Sequence, residues 1–201
     1  MALTTVRSTG IGSLPAISGA NLTSLPAGNL TGTLPAISGA NLTGISAGIT
    51  MADNWRITTD VTGTNSPLTS NWEQVDTNGM GTIGSAMTQS SGIFTFPTTG
   101  IYQVSFTGYL ESTANQRYHS IQIYATTDNS SYYHMTESSK YMNYTGNNAY
   151  SGVHCSCYFD VTNTSNCKIQ FRYIPATSDT KLLGASSYSA THVMFIRMGD
   201  T

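Results

Sequence analysis

Four histidines, three cysteines and ten acidic residues are the side chains through which this 201-residue chain could do covalent or metal chemistry. Cys155 and Cys157 stand two apart in GVHCSCYFDV, beside His154, with Cys167 further on. A zinc site built from His154, Cys155, Cys157 and Cys167 would require the four donors to converge. The segment also reads as a β-strand, with Val153, Cys155, Cys157, Phe159 and Val161 on one face. That parity sends His154 to the opposite face and makes the thiols small core hydrophobes, and no CxxC knuckle accompanies them. Polysaccharide cleavage needs two carboxylates facing each other across a groove. The acids are dispersed; Asp128 and Glu137, on either side of an expected turn, read as surface groups. His119, His134, His154 and His192 have no GxSxG elbow or comparable context for nucleophilic catalysis. The sequence therefore leads us to expect no enzyme activity, no metal and no cofactor.

Binding is the chemistry that remains. Seven of the twelve tyrosines lie between Tyr118 and Tyr150. The segment SSYYHMTESSKYMNYTGNNAY mixes Tyr, His, Asn and Ser without an aliphatic run. Tyrosine offers rigid amphipathic contact area, and Asn and Ser adapt their hydrogen bonds, which suits recognition of a sugar or protein surface. The expected receptor-binding residues are Tyr132, Tyr133, His134, Tyr141, Tyr144 and Asn147. The alternative is that several of these tyrosines pack a sandwich interior or a subunit seam.

The elements that must position these groups are strands. In GIFTFPTTGIYQVSFTGYL, a short apolar run from Ile93 to Phe96 meets the turn residues Pro97 to Gly100. Tyr102, Val104, Phe106, Gly108 and Leu110 then alternate with polar positions. Further strands are expected at Trp55 to Thr59, Ser70 to Val75, Tyr118 to Ala125, Tyr132 to Met142, Tyr150 to Val161, Cys167 to Ile174, Leu182 to Leu183 and Thr191 to Met198. No helical pattern interrupts them, so the expected fold is an antiparallel β-sandwich. In the last strand, Val193 and Phe195 face one way while Met194, Ile196 and Met198 face the other. Both faces are apolar, so the five residues are assigned to a strand that meets another subunit as well as the core.

Phe94, Gly100, Tyr102, Val104 and Phe106 follow the central signature of complement-q-like and tumour-necrosis-factor-like globular heads, with Val104 in place of the third aromatic. The resemblance runs from about Trp55 to Gly199. It implies a jelly-roll sandwich whose terminal strand lies in the inner sheet beside a three-fold axis, and hence a homotrimer. The family pattern expects an aromatic where Met87 stands, and its closing Phe-Ser-Gly-Phe element is replaced by Thr191-His192-Val193-Met194. These departures mark a distant relative.

Residues 8 to 52 contain neither a charged nor an aromatic side chain. LPAISGANLT occurs at Leu14 to Thr23 and again at Leu34 to Thr43, with a shortened copy from Leu25 to Thr31 and a relic from Ile45 to Thr50. One such unit cannot bury its own aliphatic side chains, whereas three copies around an axis can. The regular return of Leu and Ile favours a fibre shaft over a flexible linker. The repeat resembles the LPAxNLTG-type repeats of bacteriophage fibre and tail proteins. The expected organisation is an attachment segment at 1–13, a repetitive trimeric shaft at 14–52 and a jelly-roll head at 53–201.

Composition narrows the partners. Eight Lys and Arg scattered singly, in a chain of formal net charge −2, form no phosphate-binding stripe and no polybasic cluster. Nucleic acid and membrane insertion are not expected. The N-terminus has no apolar run suited to export, so release by host lysis is expected, with the protein ending in the virion. The six N-x-S/T sequons then reflect composition rather than glycosylation. The reading is a viral fibre or spike protein whose head attaches to a host glycan or protein and whose N-terminus attaches to other virion proteins. The alternatives are a capsid decoration with a purely structural role and a polysaccharide-degrading tailspike.

Overall fold

The computed structural model describes residues 48–201; the attachment segment and the repeats before residue 48 lie outside the described residues. The described chain is an all-β, two-sheet antiparallel jelly roll. Its strands are β1 (Ala52–Ile57), β2 (Val61–Thr62), β3 (Trp72–Gln74), β4 (Thr88–Ser90), β5 (Ile93–Thr95), β6 (Gly100–Ser112), β7 (Gln116–Thr126), β8 (Tyr133–Met142), β9 (Ala149–Val161), β10 (Lys168–Pro175), β11 (Thr180–Leu182) and β12 (His192–Gly199). Every strand region expected from sequence is present, and the short β2 and β4 are additions that pattern alone did not show.

One sheet runs β2, β11, β6, β12, β1, β3, with β9 paired along the other edge of β6; the second runs β4, β5, β10, β7, β8. Long β6 organises the first sheet. It pairs with β9 along its whole length, with β12 over its first half and with β11 at its end.

The strand pair expected at residues 93–110 lies at the centre of the core. Phe94, Tyr102, Val104 and Phe106 are fully buried between the sheets, and Met87 is also in the core. Phe94 packs edge-on against Trp55, Trp72 and Phe171 at centroid separations of 5.5, 5.1 and 5.4 Å. Such aromatic pairs add about 0.5–1.5 kcal/mol each beyond the area they bury. The Tyr102 hydroxyl donates to the Thr98 carbonyl at 2.9 Å and so pins the turn between β5 and β6. Gly100 closes that turn at φ +140°, where a Cβ would stand 2.5 Å from the Gly199 carbonyl oxygen. Only glycine meets both requirements.

The entry to the head is fastened by Asp53. Its buried carboxylate accepts from the Trp55 indole, the Gln74 amide, the Thr82 hydroxyl and the backbone amides of Asn54 and Met87. β1 is thereby tied to both β3 and the chain preceding β4. Met51, one residue before β1, is also part of the core.

Candidate functional site

The six expected receptor residues fall into two groups at opposite ends of β8. Tyr132, Tyr133 and His134 stand where the chain enters that strand. Tyr141 is near its far end, and Tyr144 and Asn147 lie in the connection to β9. From His134 to Tyr141 the chain is extended, which separates them by roughly 20 Å. The first group is itself divided. Tyr133 pairs with Ala125 on the inward side but stays exposed because β8 is a sheet edge, whereas His134 pairs with Tyr124 on the outer face. Tyr132 is partly buried, and that burial raises its phenol above the usual value. The Tyr144 amide donates to Asn115 at 2.7 Å, and Asn147 is exposed. A contiguous segment of sequence does not become a contiguous surface, because an antiparallel strand carries its ends apart.

His134 instead joins residues of distant segments. Its ring stacks on Tyr124 with centroids 4.8 Å apart and planes 3° from parallel. The Arg172 guanidinium lies over the Tyr124 ring, 3.5 Å from its centroid. Gln122 donates to Glu137 at 2.8 Å, and the same Glu137 oxygen stands 3.5 Å from His134 Nε2. These groups share the outer face of the five-stranded sheet, since Ile121, Ile123, Ala125, Phe171 and Tyr173 point into the core. Arg172 and Tyr124 were absent from the site expected from sequence. Strand parity could have turned both outward, but their meeting depends on the β7–β10 register.

The outer face of the other sheet carries the β12 residues. Val193 and Phe195 are wholly buried and belong to the core of a single chain, which corrects their assignment to a subunit contact; inward parity reserves them for the partner sheet. Met194, Ile196 and Met198 do lie outside the core, and Met194 and Met198 are 39% and 54% exposed. Across the strands, Ala52, Ile196, Gln103 and Tyr158 form one row, and Asn54, Met194, Ser105 and Ser156 form the next. Neither row contains a charge. Beyond them, Arg56, His192, Thr107 and His154 align. Arg56 is buried there against Glu73 at 2.7 Å. Burial, with a smaller effect of the neighbouring His154, lowers the pKa of His192.

The sequence matches no family model and no curated protein. Solved structures are similar to it in shape. Murine APRIL at pH 5.0 superposes with a TM-score of 0.54 at 11% identity, covering 74% of this chain and 98% of that one. Eiger TNF from S. frugiperda gives 0.56 at 12% identity, covering 75% and 93%. The fold is that of a TNF-like jelly roll.

Within this TNF-like head, the groups first considered for chemistry have local structural partners. Asp128 accepts from the Thr126 hydroxyl at 2.7 Å and from the amides of Ser130 and Ser131, holding the β7–β8 turn. Those bonds, the hydroxyl foremost, lower its pKa to about 2. Glu137 sits opposite Gln122, four strand residues before Thr126, which places the two carboxylates on the order of 13 Å apart along the sheet. Cys155 points inward and burial pushes its thiol up to about 12, while His154, on the other side of β9, contacts the Thr107 hydroxyl at 3.0 Å.

Proposed function

We propose that this chain is a homotrimeric bacteriophage fibre or spike protein whose TNF-like heads attach the virion to a host surface. The observation that carries the reading is the outer face of the β1–β12–β6–β9 sheet, whose two central rows carry no charge and from which Met194, Ile196, Met198 and Tyr158 project. Exposed apolar side chains on an uncharged centre of this kind are stabilised by burial against copies of themselves, and a closed three-fold arrangement satisfies every copy. The LPAISGANLT repeats support a shaft on the same axis, with the N-terminal segment meeting other virion proteins. Three heads on one stalk convert weak individual contacts into avidity. The heads act by binding rather than turnover, a reading supported by the engagement of Asp128 and Glu137 in separate local contacts.

Light scattering tests the assembly. A full-length mass near 64 kDa, three times the 21.4 kDa of one chain, is expected. A monomer would sink the trimeric reading. Antibody labelling of virions separates attachment from decoration: label at the tail tip is expected, and label spread over the capsid would favour the structural role.

A further inference from the structure

The outer face of the five-stranded sheet combines an unpaired cation with a planar stack and a polar surround. Arg172, on β10, forms no hydrogen bond or ion pair among the described residues, and its Nε is buried without a partner. Its guanidinium is nevertheless held in place, because it lies on the Tyr124 ring, which in turn stacks on His134. Three strands thus contribute three planar groups to one array. The nearest carboxylate on this face, Glu137, lies two strands away in register and is engaged by Gln122 and His134. Arg172 therefore keeps its charge available to a ligand. Ser120 Oγ on the same face also lacks a partner.

We propose that this face binds a carboxylate-bearing sugar of an acidic polysaccharide, with Arg172 taking the carboxylate and Gln122, His134 and Tyr124 contacting ring hydroxyls. The proposal rests on the reading of the head as an adhesin and names the site and ligand class. A stacked guanidinium is pre-organised and suits the planar, two-oxygen geometry of a carboxylate. The accessible Gln122 and Ser139 beside the stack offer an amide and a hydroxyl, which complement a polyol. A protein partner would be expected to find large apolar anchors at the centre of such a face. Here the outward rows carry only Ile93 and Ile174 as aliphatic side chains, both partly buried, whereas the other sheet exposes Met194 and Met198.

The test uses the full chain immobilised at fixed salt, with polygalacturonate, uncharged dextran and dextran sulfate as probes. The wild type should retain polygalacturonate and ignore dextran. Arg172→Gln should weaken retention by about tenfold or more, the scale of a lost charge-assisted hydrogen bond. Arg172→Lys should weaken it less, because the charge stays while the fork is lost. Arg117→Gln, exposed elsewhere on β7, should leave it unchanged. Should Arg172→Gln fail to fold, Arg172→Lys decides alone, and wild-type retention by that variant would overturn the site. Failure of the wild type to bind polygalacturonate, retention of dextran sulfate only, or equal retention by Arg172→Gln would each overturn the proposal. Adsorption of labelled protein to a panel of bacterial strains separates the two levels. Equal adsorption by wild type and Arg172→Gln, or adsorption abolished by protease treatment of the cells but not by polysaccharide lyase, overturns the site and leaves adhesion standing. Absence of wild-type adsorption overturns adhesion itself.

Discussion

Asp53 and Asp128 show how a carboxylate in a domain with little charge can organise local structure. Asp53 is 3% exposed and accepts hydrogen bonds from three side chains and two amides, so its removal strands buried donors. Each such donor costs about 1–3 kcal/mol when left unsatisfied. Asp53→Ala should lower stability by about 3 kcal/mol or more in urea unfolding, and Asp53→Asn, which retains an acceptor oxygen, should cost less. Asp128 is solvated, and its effect is read best by titration. Its folded pKa, about 2, lies below the ordinary 3.8. The turn contribution is therefore present above pH 3.8 and is lost as the pH falls through about 2. A carboxyl NMR titration should place the Asp128 midpoint near the lower value; a midpoint near 3.8 would show that the Thr126 and amide bonds do not persist in solution.

At the scale of elements, β12 separates two roles by parity. Val193 and Phe195 fill the interior, and Met194 and Ile196 cover the outer face in register with Asn54 and Ala52 on one side and Ser105 and Gln103 on the other. A charge placed at Met194 should act on assembly, and one placed at Val193 should act on folding. Met194→Glu is expected to shift the mass from trimer to monomer with the melting transition of the head retained. Val193→Glu, which buries an unpaired carboxylate, should cost several kcal/mol and abolish the folded head. A trimer unaffected by Met194→Glu would move the seam away from this face. The same alternation is legible in the string HVMFIRM, because side chains in a strand have a period of two. Which parity faces inward is not legible there, since both sets are apolar.

For the whole molecule, the head extends further toward the repeats than the change in composition at Asp53 suggests. Met51 is buried, Ala52 exchanges backbone hydrogen bonds with Ile83 at 3.2 and 2.9 Å, and the Arg197 amide donates to the Met51 carbonyl. A chain beginning at Gly48 should fold to the stability of the intact head. One beginning at Asp53 should be weaker by about 2–4 kcal/mol, the scale of deleting a buried side chain of this size. Comparing their urea midpoints checks this, and equal midpoints would mean that Met51 contributes nothing to the core in solution.

Patterns written along the chain were enough to define the all-β sandwich, every strand but the short β2 and β4, the β5–β6 turn and the inward set Tyr102, Val104 and Phe106. All of these depend on local turn chemistry and on a two-residue period. The same period puts Cys155 and His154 on opposite faces. Which surfaces exist is a matter of how the strands assemble. Tyr132 to Asn147 look like one recognition surface in sequence and are two ends of an edge strand in space. Arg172 meets Tyr124 because β10 and β7 pair antiparallel with Gln170 opposite Tyr124 and Arg172 opposite Gln122. Pairing register between distant strands is set by the packing of whole sheets, and no local spacing encodes it.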